Sequence, residues 1–512
     1  MCNIKKYYLF YVISDAFNTQ TIKQNMLNKL LLSALSSFSA EDRSKFLLFV
    51  KSGDAVSPRK FYPVARHLMK NLASGNDLKN IDASVLFGEA YGKKYSRQTL
   101  LNRQSELLSL VKKYFKQDAA EKNEYAMENL YAQELLTRGL LGLYARDDPG
   151  RGLSPAKNIY NEDAFDHVQQ SVLLNGAYFQ MMKQTAESQK KYFTHSRFLI
   201  ADLLCRLYRT GQELQIQKYF SLNYGFNPVL EFIGSLNNEK FFEAREIQKD
   251  ELFTIPLLRY YIFTAFRNPN NKRYITKALK VFYKNEEKFT EYFRTEMYRM
   301  FMTYYIVKVN KGERIYYEHL FRLYDRKLKS NLVSDLRRCS YPASVFREYI
   351  IAGIKVKRFK WTENILTKYS PLLPKSIRPD EVNLANVRLC FARREYEKAI
   401  EFINNHKSGN TTHHIDEIRY KLASLYELRR YEEAYYEIDK SKHYLKYNKN
   451  TLPEMHVTYY KKFLDRVLKL LNYHANPYKK DPEMICREIE NDKDVYTMKD
   501  WVTEKAGVIA GR

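Results

Sequence analysis

The chain of 512 residues carries ten histidines and five cysteines, and neither type is spaced for chemistry. A helical zinc site needs two imidazoles one turn apart with a carboxylate between them, and no His-Glu-x-x-His run occurs. The adjacent pair His413 and His414 falls in polar text that reads as a loop, where neighbouring histidines cannot present ligands one helical turn apart. Cys2, Cys205, Cys339, Cys390 and Cys486 stand singly, without a Cys-x-x-Cys pair. That argues against a structural zinc site or a disulfide framework and fits a reducing compartment. For nucleophilic catalysis, Gly-x-Ser-x-Gly is absent, and the Ser-x-x-Lys matches at Ser57 and Ser188 lack their companion motifs. Gly150 and Gly152 have no preceding strand and no closing Lys-Ser/Thr, so they do not make a phosphate loop. No catalytic, cofactor-binding or metal-ligating residue is therefore assigned, and a non-enzymatic protein without a cofactor is expected. A catalytic group assembled only in space would escape this reading.

Charge offers more. The chain has 85 Lys and Arg against 59 Asp and Glu, a net charge of +26. Residues 272–360 hold 22 basic against nine acidic residues, half of that surplus. Its densest point is Lys355, Lys357, Arg358 and Lys360, which form a candidate basic binding surface. Such a surface attracts nucleic acid, anionic lipid or an acidic protein partner. A lysine-rich solvated face of no particular function has the same composition. The aromatic content, 43 Tyr and 30 Phe, includes six adjacent tyrosine pairs, and it reads as helix packing with hydroxyls at the edge of the buried stripe.

The elements that would position these residues read as helices. Only 17 Gly and 14 Pro interrupt the text. Leu27, Leu30, Leu31 and Leu35 make one apolar stripe, and Ser39 with Asp42 forms a capping box. Ser57-Pro58 supplies a cap and a first-turn proline, and Ser96 opens a longer helix bearing Leu100, Leu101, Leu107, Val111, Tyr114 and Phe115. The stretch from Arg146 to Pro155 is the clearest break. Residues 161–192 read as one long helix, Phe198 to Tyr208 as another, and Glu286 to Val307 as the most strongly amphipathic.

The legible repeat lies further on. Trp361, Tyr396 and Tyr431 are spaced 35 apart, each followed three residues later by Asn364, Ala399 or Ala434. A period near 34 is that of stacked helix-turn-helix units, in which an aromatic plugs the turn and a small residue lets the second helix approach the first. Asn364 departs from the small-residue rule, so looser packing is expected in the Trp361 unit. The helix after Pro453 is expected to cap the array.

The expected class is all-α, an irregular α-solenoid of helical hairpins, tetratricopeptide-like in its C-terminal part. Its parts are an N-terminal extension (1–25, with Met26 opening the better helical text), an N-terminal helical region (26–146), an irregular hairpin array (155–345), the tetratricopeptide-like repeats (346–445) and C-terminal capping helices (451–512). The run from Gly353 to Pro374, the Glu395–Ile400 turn and the stretch Tyr444–Lys449 resemble a family of uncharacterised helical-repeat proteins of the Bacteroidetes bacteria. The similarity extends upstream through Lys308–Gly312 and, more faintly, to Leu86–Gly88 and Leu107–Leu110. The resemblance implies the tetratricopeptide-like architecture and brings no site residues with it.

Stacked helical repeats present extended concave surfaces, so a scaffold binding a protein or peptide partner is the preferred expectation. The alternative is a nucleic-acid-binding solenoid that uses the basic face of residues 272–360. No stretch elsewhere approaches the roughly 20 apolar residues of a spanning helix, and a cytoplasmic location is expected.

Overall fold

The computed structural model describes residues 27–52, 58–74, 81–92, 96–219, 225–332, 342–406, 411–448, 452, 454–479, 481–492 and 496–511. Among them are 26 α-helices and no strand, so the protein is all-α. The expectations for residues 1–25 and for the cap residue Ser57 fall outside these segments. The chain divides into two compact units between Phe301 and Met302.

The first unit opens with α1 (Lys29–Ser36), α2 (Ala40–Lys51), α3 (Pro58–Ala73), α4 (Ala83–Tyr91) and α5 (Arg97–Lys122). The capping box forms as expected, with Ser39 Oγ accepting from the Asp42 amide and Asp42 from the Ser39 amide. Ser96 likewise caps α5. Leu31, Phe46, Val64, Leu68, Leu107 and Val111 build one core, whereas Leu30, Leu101 and Phe115 face outward. Next come α6 (Glu124–Thr137), α7 (Leu141–Asp147), α8 (Pro155–Asn158), α9 (Phe165–Met181) and α10 (Thr185–Tyr219). Asp148 and Gly150 take left-handed backbone in the expected break.

The text read as one helix over 161–192 is two, since α9 ends at Met181 and α10 runs on past Tyr208. Lys183 has φ +59°, and the amide of Gln184 returns to the carbonyl of Phe179 at 2.8 Å, which reverses the chain without glycine. The unit continues through α11 (Pro228–Ser235), α12 (Asn238–Glu243), α13 (Arg245–Lys249), α14 (Thr254–Arg267), α15 (Lys272–Asn285) and the first half of α16 (Glu291–Asn310), within which the division falls. Phe289 precedes α16 instead of lying within it, yet it is buried, as are Phe293 and Met297.

Arg259 of α14 has no solvent exposure. Its guanidinium donates to Glu162 (3.0 and 2.5 Å) and to Glu296 of α16 (3.2 and 2.8 Å), over the ring of Phe293. Burial alone would push its pKa down, but the two carboxylates outweigh that and raise it.

The second unit contains α17 (Tyr316–Lys329) and three helix pairs: α18 (Ala343–Lys355) with α19 (Phe359–Tyr369), α20 (Arg378–Ala392) with α21 (Tyr396–Asn405), and α22 (Thr411–Glu427) with α23 (Tyr431–Tyr447). One turn closes all three. Lys357, Arg394 and Arg429 are left-handed, with φ of +57°, +64° and +60°. The next amide reaches back five residues: Arg358 to Gly353 at 2.8 Å, Glu395 to Cys390 at 2.9 Å and Arg430 to Leu425 at 2.9 Å.

Counting from these turns shifts the expected register. Phe359, Tyr396 and Tyr431 are the equivalent aromatics, and Thr362, Ala399 and Ala434 are the small buried residues. Asn364 is not in the register, and the first pair is close-packed. A Cβ on Gly353 would come within 2.3 Å of Thr362 Oγ1. The turn of α9 and α10 belongs to the same set, with buried Ser188 in the Thr362 position donating to the carbonyl of Gly176 at 2.9 Å.

Neighbouring pairs stack, α18 on α20 and α20 on α22. Beyond them lie α24 (Glu454–Ala475), α25 (Pro482–Glu490) and α26 (Lys499–Ile509). Phe463, Val467, Leu470, Trp501 and Val502 join Leu422, Ala434 and Ile438 in one core, so the apolar face of the last pair is covered.

The turn geometry yields two outcomes of opposite sign in thermal denaturation. Ala399→Leu overfills the pair interface and is expected to lower stability by about 1–3 kcal/mol. Arg394→Gly relieves left-handed backbone at an exposed position and is expected to raise stability by about 0.5–1 kcal/mol.

Candidate functional site

Lys355, Lys357, Arg358 and Lys360 all lie on the α18–α19 turn, but they are not equivalent. Lys355 sits 3.7 Å from Asp500 of α26 and over the ring of Tyr317. Asp500 also pairs with Arg314, and burial together with Asp500 pushes the Tyr317 hydroxyl up. Lys355 is thus partly neutralised. Lys357 projects from the left-handed position, Arg358 follows it and covers the ring of Phe321 at 5.9 Å, and Lys360 is the second residue of α19. Among the described residues no carboxylate lies within ion-pairing distance of Lys357, Arg358 or Lys360.

Beside these cations runs an open groove of about 520 Å³, walled by Phe321, Phe359 and Trp361 together with Lys357, Arg358 and Lys360. The Trp361 indole N–H donates to Asp325 Oδ1 at 3.0 Å, and its ring meets Phe321 edge-on at 5.0 Å. Sequence reading missed Phe321 and Asp325. They lie one turn apart on α17, the spacing that puts two side chains on one helix face, and that was the available signal.

The same edge continues along the stack with its charges paired. Arg393 binds Glu363 at 2.7 Å and covers the ring of Phe359. Arg430 binds Glu397 at 3.2 Å and Glu433 at 2.5 Å.

Set against protein-family models, curated proteins and solved structures, the chain matches none of them. The geometry alone speaks to function.

A second polar constellation runs through the first helices of the three pairs. Arg347 of α18 donates from Nε to both oxygens of Glu381 on α20, at 2.9 and 2.7 Å. His413 of α22 lies 2.9 Å from the same carboxylate. Further along, Asn383 donates to Glu417 at 3.1 Å and Arg388 to Asp416 at 2.8 Å. This corrects the reading of His413 and His414 as loop residues, because α22 begins at Thr411 and His413 is buried. The text is polar because the helix end must match a buried carboxylate, not because it is solvated. Burial pushes the Glu381 carboxyl up, but hydrogen bonds from Arg347 and His413 outweigh this and hold it at about 2, below the ordinary 4.5.

The first unit has its own cavity, about 320 Å³, lined in part by Glu239, Glu243, Asp250, Tyr260, Tyr261 and Lys277. Asp250 is held by Arg197 at 3.0 and 2.5 Å, and Glu239 accepts from Tyr274 at 2.7 Å. Both carboxylates are engaged in joining helices. Ser188 is likewise a packing residue, and no group of three His, Cys, Asp or Glu side chains among the described residues could hold a metal ion. None of the described helices is long and apolar enough to cross a membrane.

Because the Glu381 pKa is lower folded than unfolded, its stabilisation is complete above pH about 4.5 and is lost as pH falls toward about 2. Glu381→Gln is expected to destabilise by about 2–3 kcal/mol at pH 7, and its unfolding curve should converge on that of the unaltered chain as the pH approaches the folded value.

Proposed function

We propose that the chain is a non-enzymatic helical-repeat scaffold that binds a protein or peptide partner on its second unit. The observation that carries this reading is the recurrence of one turn geometry at Lys357, Arg394 and Arg429, with α18 packed on α20 and α20 on α22. Helix pairs joined in one register place their first helices side by side, and such layers make the extended concave surfaces on which solenoids hold partners. The polar ladder from Arg347 through Glu381 to His413 favours a fixed spacing of those helices, which a binding surface needs. The tetratricopeptide-like character of residues 346–445 belongs to this proposal. Its support is the left-handed turn followed by an aromatic and, three residues later, a small buried residue.

Charge pairing within residues 272–360 weighs against the nucleic-acid alternative. Among the described residues of that stretch, Lys288, Lys308, Arg314, Arg322, Arg347 and Lys355 are each paired with a carboxylate, which reduces the charge that this face offers a phosphate backbone.

Cross-linking the full chain in cell extract, followed by mapping of the linked lysines, tests the reading. The expected result is one partner whose cross-links concentrate on α18 to α23. Cross-links scattered equally over both units, or none to any specific protein, would overturn it.

A further inference from the structure

The groove beside the first turn is more specific than a basic patch, and what it accommodates can be read from its walls. This step rests on the partner-binding reading above and names the chemistry of the partner. The groove has three aromatic walls and three cations within four residues on its rim. Its shape is fixed from several sides. Lys357 is held left-handed by the amide of Arg358 bonding the Gly353 carbonyl, and the Trp361 ring is held by Asp325 and by Phe321. The rim charge is also local, because the cations that continue the edge, Arg393 and Arg430, are paired with Glu363 and Glu397.

Two kinds of polyanion could answer three cations, and the geometry of the rings separates them. The Phe321 and Trp361 rings meet edge to face, so they offer a notch and not the flat successive platforms that stacked bases use. A volume near 520 Å³ suits one or two side chains. We propose that this groove docks an acidic peptide segment, with a single aromatic or large aliphatic side chain seated between Phe321, Phe359 and Trp361 and flanking carboxylates on Lys357, Arg358 and Lys360.

Fluorescence anisotropy on the full chain tests this with three labelled probes: a dodecapeptide of Asp and Glu around one Phe, the same peptide with Ala for Phe, and a twelve-nucleotide oligothymidylate. The Phe peptide is expected to bind saturably, and loss of its ring to weaken binding by about tenfold. Lys357→Glu with Arg358→Glu and Lys360→Glu should weaken the Phe peptide by at least about tenfold, whereas Lys442→Glu with Lys446→Glu on α23 should not. Unchanged circular dichroism and melting temperature show that the altered chains still fold. Trp361→Phe, which keeps an aromatic wall, should retain more binding than Trp361→Ala. Equal binding of the Phe and Ala peptides, or indifference to the triple charge reversal, would overturn the inference. So would tighter binding of the oligothymidylate with a steep salt dependence. If peptide binding fails while partner cross-links on α18 to α23 persist, the scaffold reading stands and the groove assignment alone falls.

Discussion

The organisation of the protein depends on one backbone constraint: a helix must reverse direction within about three residues without exposing the carbonyls at its end. The solution is a single left-handed residue whose successor donates its amide to the carbonyl five positions back. Among the described residues it occurs at Gly139 and Lys183 in the first unit and at Gly312, Asn331, Lys357, Arg394 and Arg429 in the second. At the turns of Lys183, Lys357, Arg394 and Arg429 the residue five positions on is a small one, Ser188, Thr362, Ala399 or Ala434, and all four are buried. Helix register, pair spacing and the placement of the basic turn residues follow from that one arrangement.

Buried charge then locks what the turns arrange. Arg259 joins Glu162 and Glu296 in the first unit, and Glu381 joins Arg347 and His413 in the second. Networks of this kind need not add net stability over apolar packing, but removing one member leaves the others charged and desolvated. Each therefore disfavours slippage of one helix along its neighbour, which an interface of tyrosines and leucines would tolerate more readily. Arg347 and Glu381 are 34 residues apart and Glu381 and His413 are 32 apart, a spacing close to that of the turns.

Much of this was legible in the sequence, and the misreadings have physical causes. The capping box at Ser39, the cap at Ser96 and the helical pairing around Ala399 and Ala434 depend on local residue types and read correctly. The aromatic that follows the first of these turns was misplaced by two residues because a constant spacing of 35 selects Trp361. The chain between α19 and α20 contains an extra short helical turn at Ser370–Leu372, and the true aromatic is Phe359, 37 residues before Tyr396. The break at Lys183 was invisible because lysine carries no turn signal, its conformation being imposed by the packing of α9 on α10. The walls of the groove were only half legible. Trp361 belongs to the repeat text, whereas Phe321 and Asp325 reach it from α17 through tertiary contact.

The left-handed turn residue has a consequence for how such a surface diversifies. The conformation at Lys357, Arg394 and Arg429 is held by main-chain amides, and all three side chains are exposed. The architecture therefore constrains the shape of these sites but hardly their chemistry. Substitution there alters what the edge displays while leaving the helices in place, so the recurring turn acts as a set of interchangeable labels on an invariant frame.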